Sequence, residues 1–273
     1  MNLIDAAILG VVEGITEFLP ISSTGHLIVA ASLLGVHGEA KVKTFEIAIQ
    51  AGAIAAVLWA YADRFRPLLT NLSHDARAQR FLRNLAIAFT PAALIGFLLS
   101  GAIKTYLFNP VGVAVASVVG ALVIFWVERK PEEREVKARI RDVDAMTSLD
   151  ALKVGLAQCA SLIPGMSRSG ATLLGGMLFG MNRKAATEFS FFLGVPTLTA
   201  ASLYSLIKDR ELLSAADLPH FAVGAAMSFV VALIVIRWLI RFVASHTLTV
   251  FAWYRIVFGG LILLGAWSGW VPW

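Results

Sequence analysis

This chain predicts an all-α, polytopic membrane protein: six transmembrane helices plus two re-entrant helical hairpins in an inverted-topology repeat. Three observations carry that expectation. The 273 residues are 58% hydrophobic and 15% charged, where a soluble domain would have about a quarter of its residues charged, and the mean hydropathy is +0.76. Several apolar stretches approach the ~20 residues that a spanning helix needs. Basic residues collect in alternate interhelical loops, as cytoplasmic loops do.

In chain order, residues 3–19 are apolar and almost long enough to cross, but the helix predicted after them runs only from about 25 to 36. Twelve helical residues cover ~18 Å against a ~30 Å hydrocarbon core. The pair therefore reads as a re-entrant hairpin that enters, turns at membrane depth and returns. Spans are predicted at 44–62, 84–102 and 111–127. The stretches 150–163 and 170–181 are again short and form a second hairpin, and spans at 185–207, 219–240 and 249–268 complete the chain. Irregular backbone at that depth is tolerated only inside protein or against a watery cavity. Pro91 and Pro196 fall within spans, where neighbouring helices satisfy the freed backbone groups.

The loops set the orientation. Arg64, Arg66, Arg77, Arg80 and Arg83 crowd the loop at 63–83. Arg129, Lys130, Arg134, Lys137, Arg139 and Arg141 crowd the one at 128–148. These two, with 241–248, are expected on the cytoplasmic side. The opposite loops, 103–110 and 208–218, hold only Lys104, Lys208 and Arg210. Both termini are then outside, with Trp267, Trp270 and Trp273 as an aromatic anchor. The net charge of +5 is thus spent on topology, and no nucleic-acid partner is expected. Asp5 and Glu13 stand where a signal peptide has basic residues, so no cleavable signal is expected. Cys159 is the lone cysteine, which excludes an intramolecular disulfide and a Cys-rich metal site.

The chain is expected to be one integral membrane domain, 1–273, made of two repeats, 1–128 and 149–273. Shifted by 145 residues, Asp5 meets Asp150, Ala6 meets Ala151, Gly10 meets Gly155, Ser22 meets Ser167 and Gly25 meets Gly170. Each unit is a hairpin followed by three spans. Three is odd, so the second unit is inverted, and such repeats place a site near the midplane between them. The halves diverge at Ser23, matched by Arg168, and at Glu13, matched by Gln158.

Chemistry concentrates at the two hairpin tips. An ionisable group in a span costs roughly 2.5–3.5 kcal/mol on insertion scales, so such groups mark function by default. Glu13 and Glu17 are four apart and share a helix face; two carboxylates there can hold a divalent cation, orient a base or share a proton. Ser22, Ser23 and Thr24 precede the short helix. One of them suffices as N-cap, and the helix N-terminus favours a phosphate. His26 lies one turn beyond Ser23, giving a hydroxyl beside an imidazole. On the second tip Arg168 is flanked by Ser167 and Ser169, with Thr172 following: a planar cation with hydroxyl donors, suited to phosphate. Glu46 and Gln50 are placed to line the same cavity. Arg255 reads as structural or interfacial, and His37, His74, His220 and His246 as solvated. The residues alone give a midplane anion site with nucleophile candidates.

With Glu13-x-x-x-Glu17, the Pro20–His26 tip (Pro-Ile-Ser-Ser-Thr-Gly-His) and the Pro164–Thr172 segment (Pro-Gly-Met-Ser-Arg-Ser-Gly-Ala-Thr), the chain resembles the undecaprenyl-diphosphate phosphatase family, historically the bacitracin-resistance proteins. The likeness runs through the whole chain, including Glu188-Phe189-Ser190. It implies a multi-pass hydrolase of the bacterial inner (plasma) membrane, with its site open to the outer, periplasmic face. The enzyme would cleave the terminal phosphate from a C55 polyprenyl diphosphate, so returning the monophosphate carrier to cell-wall synthesis. It also implies a divalent cation, Mg²⁺ or Ca²⁺. Carried over, Ser23 is the favoured nucleophile with His26 as proton-transfer partner, and Arg168 stabilises the transferring phosphoryl group. Glu17 and Glu13 hold the metal or orient His26. Ser22, Thr24, Ser167, Ser169, Thr172 and Gln50 line the diphosphate pocket. The partners implied are the lipid substrate and the bilayer, with a homodimer left open. The competing expectation is a transporter or flippase of an anionic lipid or phosphate-containing substrate, because broken helices in inverted repeats are typical of transporters.

Overall fold

Long apolar runs become long helices here, and the polar tips interrupt them. The computed structural model describes residues 1–38 and 40–269, without the side chains of Ala40, Ser100, Ala102, Lys104 and Thr105. Among the described residues there is no strand, only an isolated bridge between Ile140 and Met181. The first half comprises α1 (Leu3–Thr16), α2 (Ser23–Leu33), α3 (Ala40–Ala48), α4 (Gln50–Ala60), α5 (Ala62–Thr70), α6 (Ala76–Tyr106) and α7 (Pro110–Val127). The rest comprises α8 (Pro131–Lys137), α9 (Ser148–Gln158), α10 (Arg168–Leu178), α11 (Arg183–Lys208), α12 (Leu218–Ser245) and α13 (Thr249–Ser268).

Among the described residues, six segments are long and apolar enough to cross a membrane: Lys41–Ala60, Ala76–Leu99, Pro110–Val127, Arg183–Lys208, Ala215–Ser245 and Thr249–Ser268. They coincide with the six predicted spans. By contrast α1, α2, α9 and α10 have 14, 11, 11 and 11 residues, too few to cross. α1 and α9 start alike. Asn2 and Asp5 form a capping box, and so do Thr147 and Asp150. The Asp5–Asp150 identity of the sequence is therefore a pair of equivalent helix starts.

Two basic loops turn out partly helical. α5 sets Phe65 and Leu68 against the core while Asp63 and Arg66 stay out. Asp75 caps α6, its Oδ1 accepting from Arg77 N at 2.8 Å. α8 opens on Pro131 with Glu132 and Glu133, and ends with Arg134 and Lys137, charges that complement the helix dipole. Their polar composition hides these helices from any search for apolar runs. The Arg64 guanidinium is bound to Asp144 and holds that carboxyl below its ordinary range.

Apolar side chains point outward over much of the surface, among them Trp59, Phe97, Leu98, Leu122, Ile234 and Val257. That suits a lipid solvent, and helix association then relies on close packing. At Gly14 a Cβ would lie 2.8 Å from the Ser228 carbonyl oxygen, so α1 and α12 can meet this closely only through glycine. Inside, Phe18 packs edge-on to Phe191 at 5.1 Å between centroids, and Phe192 does the same with Phe81 at 5.2 Å. Of the expected aromatic anchor, Trp267 is exposed, whereas Trp270 and Trp273 lie outside the described residues, as does the side chain of Lys104.

Candidate functional site

The site begins with two strained serines. Among the described residues, Ser22 (φ 74°) and Ser167 (φ 71°) are the non-glycine residues with positive φ. Such a conformation costs on the order of 1–3 kcal/mol and persists only where its surroundings enforce it. Each is the N-cap of a short helix, α2 or α10. The two tips are sewn together. Ser169 Oγ donates to the Leu19 carbonyl at 2.8 Å, and Ser167 Oγ reaches the same oxygen at 3.4 Å.

Arg255 completes the seam. It is 1% exposed and donates to the carbonyls of Pro20 (3.0 Å), Gly165 (2.9 Å), Met166 (3.0 Å), Ala116 (3.1 Å) and Ser117 (2.9 Å). Both tips and α7 thus hang on one guanidinium whose partners are all carbonyls, which leaves its positive charge beside the tips. The structural reading of Arg255 accords with this network.

Three of the predicted residues converge in one chain of hydrogen bonds. Ser23 Oγ donates to Glu17 Oε2 at 2.7 Å. Arg168 Nη2 donates to Glu17 Oε1 at 2.7 Å, both side chains being nearly buried. Arg168 Nη1 donates to the Ser190 carbonyl at 2.7 Å. Its Nε is buried without a hydrogen-bond partner. Room for the guanidinium comes from Gly194 on α11, where a Cβ would lie 2.8 Å from Arg168 Nη1.

His26 sits beside this chain but does not join it. Its Nδ1 is 2.7 Å from the Ser22 carbonyl oxygen. A carbonyl only accepts, so Nδ1 carries a proton. Its Nε2 is 2.6 Å from Tyr254 Oη, and its ring stacks on Phe258 at 3.9 Å between centroids. Both ring nitrogens are engaged, and Ser23 turns to Glu17 instead of to the expected His26.

The other predicted residues fall around this centre. Thr172 Oγ1 pairs with Ser190 Oγ at 2.6 Å and donates to the Arg168 carbonyl at 3.0 Å, so it braces Arg168. Ser167 Oγ accepts from Gly170 N at 3.1 Å, a true N-cap, whereas Ser22 makes no side-chain cap. Thr24 is half-buried in the first turn of α2. Glu13 is fully buried on α1 and neither of its carboxylate oxygens has a hydrogen-bond partner; Gln50 Oε1, at the start of α4, is buried in the same condition.

A divalent cation would need hard oxygen donors here. Glu17 is committed to Ser23 and Arg168, and among the described residues no three His, Cys, Asp or Glu side chains gather as a metal cluster. Glu13, with two buried unpartnered oxygens, is the carboxylate that fits. A magnesium-type site needs only one or two carboxylates when phosphate oxygens complete the shell.

Sequence reasoning did not single out Tyr254, Phe258, Ser190 or Gly194 as site residues. Ser190 lay within a run already noticed, and Tyr254 precedes an intramembrane arginine, itself a flag of function. Tyr254 and Gly194 otherwise look like ordinary residues of an apolar span.

These features define a class: an integral membrane protein whose paired helix tips enclose a buried hydroxyl–carboxylate–guanidinium site. A family model, "Bacitracin resistance protein BacA", matches residues 6–261, and the chain belongs to that family. An "Undecaprenyl-diphosphatase" of Methylibium petroleiphilum is 61% identical over 99% of this chain and 98% of its own length. One of Albidiferax ferrireducens is 57% identical over 99% and 98%. An "Undecaprenyl-diphosphatase 2" of Rhodospirillum rubrum is 57% identical over 99% and 97%.

Proposed function

We infer that this chain is a polyprenyl-diphosphate phosphatase. It hydrolyses undecaprenyl diphosphate to undecaprenyl phosphate and inorganic phosphate, so recycling the lipid carrier of cell-wall synthesis. The family and the relatives' names support the substrate. The observation that carries the chemistry is the Ser23–Glu17–Arg168 chain, in which a hydroxyl already directs its proton to a carboxylate.

Ser23 Oγ forms a bond to the terminal phosphorus while its proton passes to Glu17. The bridging P–O bond breaks, and its electron pair leaves with undecaprenyl phosphate. Water then takes the phosphoryl group as Glu17 returns the proton to Ser23 Oγ. Arg168, anchored at Glu17 and at the Ser190 carbonyl, offers its remaining N–H to the equatorial oxygens, where charge must be held throughout. Ser23 is favoured over His26 as nucleophile because its proton already has an acceptor. Ser22 and Thr24 at the head of α2 receive the diphosphate, aided by the helix N-terminus. Gln50 and Glu13 border the same pocket, and Glu13 would hold a divalent cation, which when bound neutralises phosphate charge.

The short helices α1, α2, α9 and α10 are read as two re-entrant hairpins, and 1–128 and 149–273 as inverted repeats. The matched capping boxes and matched strained serines support that reading. Arginine-rich loops on the cytoplasmic side leave the site opening outward from the plasma membrane. Single cysteines at Arg77, Lys137 and Lys208 in a Cys159→Ser chain test this: an impermeant thiol reagent on intact cells should label Lys208→Cys and spare the other two, and the reverse pattern overturns the orientation.

For the activity, purified protein in detergent should release inorganic phosphate from undecaprenyl diphosphate, and Ser23→Ala should not. Lipid movement across vesicles without phosphate release would instead favour the transporter reading, which needs no nucleophile.

A further inference from the structure

We propose that Tyr254 is a positioning residue for this reaction: with the Ser22 carbonyl it fixes His26 with Nδ1 protonated and Nε2 as the proton acceptor, which takes a proton from the water that removes the phosphoryl group while Glu17 returns its own proton to Ser23 Oγ. The proposal rests on the phosphatase reading.

Four observations carry it. The Ser22 carbonyl, 2.7 Å from Nδ1, can only accept, so that nitrogen keeps its proton and only Nε2 remains for exchange. Tyr254 Oη lies 2.6 Å from Nε2. A phenol suits either state of the ring, since it donates to a neutral Nε2 and accepts from a protonated one. The ring plane is fixed as well. His26 is nearly parallel to Phe258 (4°) and to Tyr254 (11°), with centroids 3.9 and 5.6 Å away.

The fourth observation concerns Ser22. Its left-handed backbone (φ 74°) is not sustained by any side-chain cap, but its carbonyl is the acceptor of the His26 Nδ1–H. The same turn recurs at Ser167 (φ 71°), where the carbonyl accepts from Ala171 N; at Ser22 it meets a histidine ring as well. Tyr254 itself is 44% exposed on a helix with a lipid-facing side, so its hydroxyl reaches inward from the edge of the site. A tyrosine placed only as an interfacial belt residue would direct its hydroxyl to the headgroup layer.

Tyr254→Phe removes the hydroxyl and keeps the stacked ring. It should lower kcat about tenfold, the scale of losing a partner that orients a working histidine, with KM for the lipid unchanged within about twofold. In His26→Ala protein, adding Tyr254→Phe should cost nothing further, because Tyr254 acts through His26. With ¹⁵N-labelled histidine, the His26 Nε2 resonance, assigned by its loss in His26→Ala, should move in Tyr254→Phe while the Nδ1–H resonance stays. A raised KM with unchanged kcat, or losses that multiply in the double variant, would overturn the proposal. So would an unmoved Nε2 resonance. Wild-type phosphate release tests the phosphatase reading by itself: a wild type that releases none fails that reading, and the nitrogen shifts still decide whether Tyr254 holds Nε2.

Discussion

The two tips share a backbone and differ in what their side chains do. Ser22 and Ser167 have nearly the same positive φ, and each opens a short helix after a turn. At the second tip the hydroxyls are used up in holding the structure. Ser167 caps α10, Ser169 holds Leu19, and Thr172 closes on Ser190. At the first tip Ser22 caps nothing, Ser23 points to Glu17 and His26 to Tyr254. One tip is built for position and delivers a single cation, Arg168. The other keeps its functional groups for chemistry. One strained turn, placed twice, thus supports an asymmetric site because only one copy commits its hydroxyls to caps and backbone contacts.

The largest effects should come where the tips meet. Ser23→Ala and Arg168→Ala should each reduce phosphate release by at least about 100-fold, the scale of losing a proton-transfer or charge-stabilising group. Ser23→Ala should leave folded yield unchanged. Arg168→Ala leaves Glu17 buried without its cation, so Arg168→Lys is the control that retains charge and loses the fork. Near-normal turnover in Ser23→Ala would remove Ser23 as nucleophile and erase the contrast between the tips.

A smaller effect is expected from α11. The Cβ of Gly194→Ala would press on the Arg168 guanidinium, the far end of a flexible side chain. The side chain can give way, but not without disturbing its contacts to Glu17 and the Ser190 carbonyl. Turnover should fall roughly tenfold, since a misplacement near 1 Å costs up to about 100-fold in a preorganised site. Wild-type kinetics in Gly194→Ala would mean that the Arg168 position is not what the second tip contributes.

Much of this was legible in the sequence, for stated reasons. Lipid imposes ~20-residue apolar runs, so the six spans stand out, and α2 and α10 stand out as too short to cross. The convergence of Glu17, Ser23 and Arg168 follows from their cost at membrane depth. α5 and α8 were hidden because they are short and polar: α8 carries dipole-matched charges, and α5 turns only a few apolar residues, such as Phe65 and Leu68, to the core. The partner of His26 was hidden because Tyr254 is 228 residues away in a span whose composition is ordinary. No spacing rule reaches across α2 and α13, so the neighbour at hand, Ser23, was the expected one. Gly194 was hidden because the space it leaves matters only once Arg168 fills it.

Metal dependence separates the two carboxylates of the first tip. Chelation should abolish turnover, and added Mg²⁺ or Ca²⁺ should restore it. If Glu13 holds the cation, Glu13→Gln should raise the metal concentration for half activity, since one charged oxygen ligand is lost. Glu17→Gln should lower the maximal rate and leave that concentration unchanged, because Glu17 is occupied by Ser23 and Arg168. The opposite assignment in metal titrations at saturating substrate would transfer ligation to Glu17.

The smallest effect is the sharpest comparison. Ser22→Ala and Ser167→Ala remove the same hydroxyl from the same backbone conformation, so any strain common to both cancels. Ser167 loses a cap on Gly170 N, worth about 1 kcal/mol, and its unfolding midpoint in detergent should fall by roughly 2–4 °C, with turnover changed only a few-fold. Ser22 loses no cap, so its midpoint should stay within a degree or so of wild type on the same scale. Its effect should appear in KM if, as proposed, its hydroxyl receives the diphosphate at the head of α2. Unfolding curves and lipid titrations on the two variants decide the matter. Equal shifts in stability, or a KM effect confined to Ser167→Ala, would show that the tips do not divide position and chemistry between them.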